Sequence, residues 1–164
     1  MPELTAAAVL GELERSGVTH IVWLPDSETG FMYQAMIRSS FTVVPVCREG
    51  ESFAIAAGLI MGGKKPAVLI QSTGFFESGD SIRGMCLDLH LPLLLMLGYR
   101  GYFGPGKPSN DSAARMLEPM LKTWGIPFHI LHSDADAPLI SEALGQAERE
   151  SQPVAVLIGQ EYHA

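Results

Sequence analysis

Short apolar runs alternating with helix-period segments along the whole chain constrain its fold more than any other feature. The runs are Val18–Leu24, Phe41–Val46, Pro66–Gln71, Pro92–Leu97, Ile126–Leu131 and Pro153–Ile158. Helical patterns separate them, over Thr5–Ser16, Gly30–Ser39, Glu49–Met61, a segment from Ser72 to about Leu89, Asp111–Thr123 and Asp134–Glu150. Thr5 reads as an N-cap and Gly17 as a C-cap. Strands that are apolar without strict alternation are those buried on both faces, and FTVVPV at Phe41–Val46 reads as one. The pattern predicts an α/β fold of three layers, α/β/α, around a six-stranded parallel sheet with right-handed crossovers. With 164 residues, one domain over 1–164 is expected. The segment Gly98–Asn110 is rich in Gly and Pro, has no periodicity, and reads as a mobile flap.

Hydrophobic residues make up 47% of the chain and charged residues 18%, which suits a sheet covered on both sides or a large subunit interface. Self-association is expected. A net charge of -7 with no Lys/Arg cluster argues against nucleic acid and anionic membranes as partners. Cys47 and Cys86 are far apart and form no C-x-x-C, so a reducing cytoplasm is expected and no disulfide or zinc site is indicated. The start of the chain carries Glu3, Glu12 and Glu14 and no basic n-region, which argues against a signal peptide. The longest apolar run, LPLLLMLGY, falls far short of the roughly 20 residues of a membrane span.

Chemistry concentrates where strands end. In open parallel sheets ligands bind at the carboxyl edge, and Glu49 stands where the second strand gives way to a helix rich in Ala and Gly. An acid in a first helical turn also complements the helix dipole, and Glu51 fits that reading without any ligand. Ser72, Thr73 and Gly74 begin the helix after the third strand, where they either serve as an ordinary helix start or offer backbone donors with little bulk. Asp26 and Ser27 end the first strand as turn residues or as polar groups over a site. Tyr99 and Arg100 follow the fourth strand, and a guanidinium there suits a carboxylate, sulfonate or phosphonate. Asp80 and Arg83 suit an i,i+3 pair. The histidines have no metal-ligand spacing, so no metal site is proposed, and Gly101, Gly104 and Gly106 make no dinucleotide fingerprint.

Glu49, Gly58 and the alanines between them, with QSTG at Gln71–Gly74 and LHLPLLLMLGYRG at Leu89–Gly101, resemble the pyrimidine-binding (PYR) half of thiamine-diphosphate enzymes. The order REGE, AAG, GGKKPAVLIQSTG and LPLLLMLGYRG is similar to the alpha subunit of sulfopyruvate decarboxylase and the matching half of phosphonopyruvate decarboxylase. FFESG at Phe75–Gly79 stands in place of their LGNS-like continuation. The resemblance implies that Glu49 is the catalytic acid beside pyrimidine N1' of thiamine diphosphate, and that Ser72, Thr73 and Gly74 approach that ring. It further implies Asp26, Ser27, Tyr99 and Arg100 as candidates for binding a small anionic 2-keto acid.

The diphosphate half of such enzymes is marked by Gly-Asp-Gly and a later Asn-Asn. Gly79-Asp80 continues here into Ser81, and Asn110 is the single asparagine. The resemblance therefore implies a separate beta-type (PP-domain) subunit holding Mg2+ and the phosphates. An acetolactate-synthase-like carboligase is the alternative enzyme, and a non-catalytic flavodoxin-like or receiver-like module the alternative of another class. Gln71 and His132 stand where a receiver needs its phosphorylated Asp and its Lys.

Overall fold

A computed structural model describes residues 4–159. The ends of the expected 1–164 domain, Glu3 included, lie outside the described residues. Six strands form one sheet in the order β2-β1-β3-β4-β6-β5, every neighbouring pair parallel. They are β1 His20–Trp23, β2 Thr42–Pro45, β3 Pro66–Gln71, β4 Leu94–Gly98, β5 Phe128–Leu131 and β6 Val154–Ile158. Alternate side chains on each strand feed two cores. One joins Ile21, Leu69, Met96 and Val156 to α1 (Ala6–Arg15), α2 (Tyr33–Met36) and α7 (Pro138–Glu150). The other joins Val22, Val68, Leu95 and Leu157 to α3 (Glu49–Met61), α4 (Ser72–Glu77), α5 (Gly79–Ile82) and α6 (Ser112–Thr123). No described helix is long and apolar enough to cross a membrane.

Local chemistry accounts for the element ends. The Thr5 hydroxyl caps α1 by accepting from the Ala8 amide at 3.2 Å, and the Asp111 carboxylate caps α6 by accepting from the Ala113 amide at 2.8 Å. The C-cap of α1 is Ser16, with Gly17 following at φ 76°. The single helix predicted from Ser72 to Leu89 is instead three pieces: α4, α5 and a π-turn over Arg83–Leu87. Ser78 is the break, since its hydroxyl donates to the Gly74 carbonyl at 2.7 Å and Gly79 follows. Asp80 and Arg83 do pair across i,i+3, at 2.7 Å.

The strand over Thr42–Pro45 is not buried on both faces as its composition suggested. It is the sheet edge, with Thr42 and Pro45 exposed. Pro45 contributes no N–H to a ladder, which restricts it to such an edge.

The connections then define a crevice. From β1 the chain crosses on the α2 face to β2, and it returns to β3 on the α3 face. β1 and β3 are thus neighbours whose following segments leave in opposite directions, the switch point at whose carboxyl edge open α/β sheets bind ligands.

Candidate active site

Three segments meet at that edge: the loop after β1 with Asp26, the start of α3 with Glu49, and the start of α4 with Ser72 to Gly74. Glu49 lies across Gly74. A β-carbon built on the glycine would stand 2.2 Å from Glu49 Cγ and 2.7 Å from Cδ and Oε1, so only a residue without a side chain lets the two helix starts approach. The half-buried Glu49 carboxylate accepts no hydrogen bond and joins no ion pair among the described residues.

Ser72 is fully buried, and its hydroxyl has no partner among the described residues. Buried polar atoms are rarely left so. Thr73 is exposed, and its hydroxyl donates to Gln71 Oε1 at 2.7 Å. No side chain caps the start of α4, so its first amides carry no capping acceptor.

Asp26 has turn duties that occupy both of its oxygens. Oδ1 accepts from the amides of Glu28 (2.7 Å) and Thr29 (2.9 Å), and Oδ2 from the Thr29 hydroxyl (2.7 Å), which itself accepts from Trp23 Nε1 at 3.0 Å. Burial raises the Asp26 carboxyl above the ordinary range; those bonds oppose the rise, and the charge of Glu49 adds to it. The Glu49 charge is therefore near enough to act on Asp26. The loop holding Asp26 leans over the sheet, with Glu28 so close to Gly98 that a β-carbon there would stand 2.6 Å from Glu28 Cβ.

Ser27 and Arg100 line a second cleft, of about 510 Å³, together with Asp111 and part of the 101–110 loop. The Ser27 hydroxyl donates to Glu28 Oε1 at 3.2 Å, and Arg100 Nε to Asp111 Oδ2 at 3.2 Å. Tyr99 turns the other way, into the packing of α6. It is 4% exposed, donates to the Ala114 carbonyl (3.2 Å) and Glu118 Oε1 (3.0 Å), and stacks on Tyr102 at 4.4 Å. Burial raises its phenol well above the usual range, with Glu118 adding to the effect. The structure thus brings Asp26, Glu49, Ser72 and Gly74 to one crevice and Ser27 and Arg100 to the adjoining cleft, with Tyr99 in neither.

Two contributors were not anticipated from the sequence. Thr29 anchors Asp26; the D-x-x-T spacing in Asp26–Thr29 is the signal for it. Glu77 reaches α3 from α4, a contact between residues 27 apart for which no local pattern exists.

A six-stranded all-parallel sheet with helices on both faces defines the class by its fold, that of the PYR-type half of thiamine-diphosphate enzymes. No family model matches the chain. It is 33% identical over 120 residues to the sulfopyruvate decarboxylase subunit alpha of Methanothermobacter thermautotrophicus, covering 73% of each chain. It is 32% identical to the subunit of the same name from Methanocaldococcus jannaschii, covering 70% of this chain and 68% of that one. A 24% match to the sulfopyruvate decarboxylase of Methanosarcina acetivorans covers only 32% of that longer protein. Among solved structures, a chain of the 2-oxoglutarate:ferredoxin oxidoreductase from Magnetococcus marinus shares the fold with a TM-score of 0.68 at 17% identity, over 94% of this chain and 28% of that one. The chain belongs to the sulfopyruvate decarboxylase alpha-subunit family.

Proposed function

We propose that this chain is the pyrimidine-binding subunit of a thiamine-diphosphate-dependent decarboxylase acting on a small anionic 2-keto acid of the sulfopyruvate or phosphonopyruvate kind, with Glu49 as its catalytic residue. The observation that carries the reading is the Glu49 carboxylate, without a hydrogen-bond or ion-pair partner among the described residues and pressed on Gly74 at the sheet's switch point. Thiamine diphosphate supplies, when bound, a ring carbon that adds to the keto group and takes up the electrons released as carbon dioxide leaves.

The residues present fit its aminopyrimidine end. Glu49 holds or accepts a proton at ring nitrogen N1', and away from bulk water that hydrogen bond gains strength. The buried Ser72 hydroxyl and the uncapped amides at the start of α4 offer further contacts at little steric cost. Thr73 completes the turn. Asp26 and Ser27 border the reacting centre, and Arg100 grips the acidic group of the substrate. Tyr99 supports Arg100 from behind by fixing the end of β4 against α6. Mg2+ and the diphosphate fall to a beta-type (PP-domain) half, since these residues carry no Gly-Asp-Gly and no Asn-Asn. The designation of the relatives as alpha subunits supports such a partner.

The test is reconstitution. With the partner subunit, thiamine diphosphate and Mg2+, sulfopyruvate or phosphonopyruvate should release carbon dioxide and yield the corresponding aldehyde. A larger hydroxy-keto acid as product would instead identify a carboligase.

A further inference from the structure

Glu49 is flanked by Arg48 and Gly50, and one carboxylate from another element holds both flanking residues. Glu77 Oε1 accepts from Arg48 Nε, and Glu77 Oε2 accepts from the Gly50 amide at 3.1 Å. The Arg48 guanidinium, with the Gly50 bond adding to it, holds the Glu77 carboxyl below its usual range. The residue at the N-cap position of α3 is Arg48, which supplies no side-chain cap, so Glu77 caps the helix from outside it.

Gly74 and Glu77 are three apart on α4 and share a face. The Gly74 surface abuts Glu49 while Glu77 grips residues 48 and 50, so one turn of α4 contacts the N-cap and the first two residues of α3. α4 is itself fixed, since Phe75 is fully buried and packs on Trp124 at 5.4 Å. Gly50 faces the same contact, where a β-carbon would lie 3.4 Å from Glu77 Oε2 and 3.1 Å from Ser81 Oγ.

We propose that Glu77 is the positioning residue for Glu49, its two oxygens clamping the residues on either side so that the catalytic carboxylate is held over Gly74. This rests on the reading of Glu49 as the acid that contacts the cofactor. Only Asp and Glu offer two acceptor oxygens on one group, and Asp is one methylene short of this span. The grip on Arg48 also keeps that cation from folding onto the adjacent Glu49, where it would compete for the carboxylate that must meet the ring.

The proposal is tested with Glu77→Ala, Glu77→Gln and Glu49→Gln in the full-length chain assembled with its partner, and with a Glu49→Gln/Glu77→Ala double variant. Glu77→Ala should lower kcat by about 10- to 100-fold with KM for the keto acid within about twofold, the scale of losing a supporting contact. Glu77→Gln keeps one acceptor and should recover part of the loss. Thiamine diphosphate affinity, read by tryptophan fluorescence quenching in the presence of Mg2+, should fall in Glu77→Ala. It should fall no further in the double variant than in Glu49→Gln alone. In 1H–15N spectra of the full chain, the Gly50 amide should shift upfield in Glu77→Ala as its charged acceptor is removed.

Unchanged kcat and cofactor affinity in a folded Glu77→Ala complex would overturn the proposal, as would additive effects in the double variant. Full turnover by Glu49→Gln would overturn the assignment of Glu49 instead. The Gly50 amide shift would still report whether the clamp exists.

Discussion

Glu49 lies over Gly74 so closely that a single methyl on the glycine would stand 2.2 Å from the glutamate Cγ. The same β-carbon would stand 2.7 Å from Cδ and Oε1, so the whole carboxyl end of Glu49 would have to swing away from the glycine. The pairing explains why a glycine stands in the first turn of α4, opposite the acid that begins α3.

Gly74→Ala should therefore force Glu49 out of its place. Overpacking of this kind costs about 1–3 kcal/mol of stability, and thiamine diphosphate affinity of the assembled enzyme should drop with it. Denaturant unfolding and cofactor titration measure the two effects; a variant with native affinity would separate the glycine from the function of Glu49.

Asp26 should titrate above an ordinary aspartate. Burial raises the folded-state value of Asp26, and the Glu49 charge adds to the rise. An acid raised in this way binds its proton more tightly folded than unfolded, so its contribution to stability is fully present below the unfolded value of about 3.9 and is lost as pH rises through the folded value. Removing the Glu49 charge in Glu49→Gln should move the Asp26 midpoint down and narrow that window of loss. A 13C NMR titration of the Asp26 carboxyl reads it, and an unmoved midpoint would deny the electrostatic contact.

Arg100→Met should raise KM for the keto acid by about 10-fold or more while leaving kcat within a few-fold, the signature of an interaction present equally in ground and transition states. Its ion pair with Asp111 is exposed, so the stability cost should stay within about 1 kcal/mol. Steady-state kinetics check the first statement and thermal unfolding the second. A kcat loss without a KM change would place Arg100 at the reacting bonds instead of at the substrate's acidic end.

Much of this arrangement was legible in the residues. Continuous apolar runs such as Ala67–Ile70 and Leu94–Leu97 are what strands covered on both faces require, and they are the buried centre of the sheet. The alternation with helices made that sheet parallel and put Glu49 and Ser72–Gly74 at the same carboxyl edge. What composition obscured was position within the sheet. Phe41–Val46 is as apolar as the central strands, and only Pro45 marked it as an edge.

Side-chain direction was less legible. Tyr99 and Arg100 are adjacent, and the backbone after β4 sends one into α6 and the other into the cleft beside Ser27. Asp26 is committed to its own turn by Thr29, a local pattern. Glu77 was hidden because its partners at 48 and 50 become neighbours only once two helices have packed.

The most direct test is turnover by Glu49→Gln in the complex reconstituted with its partner, thiamine diphosphate and Mg2+. The account predicts loss of decarboxylation with folding stability within about 1 kcal/mol of the unaltered protein, as for a change in a cleft. Decarboxylation at the unaltered rate would contradict it.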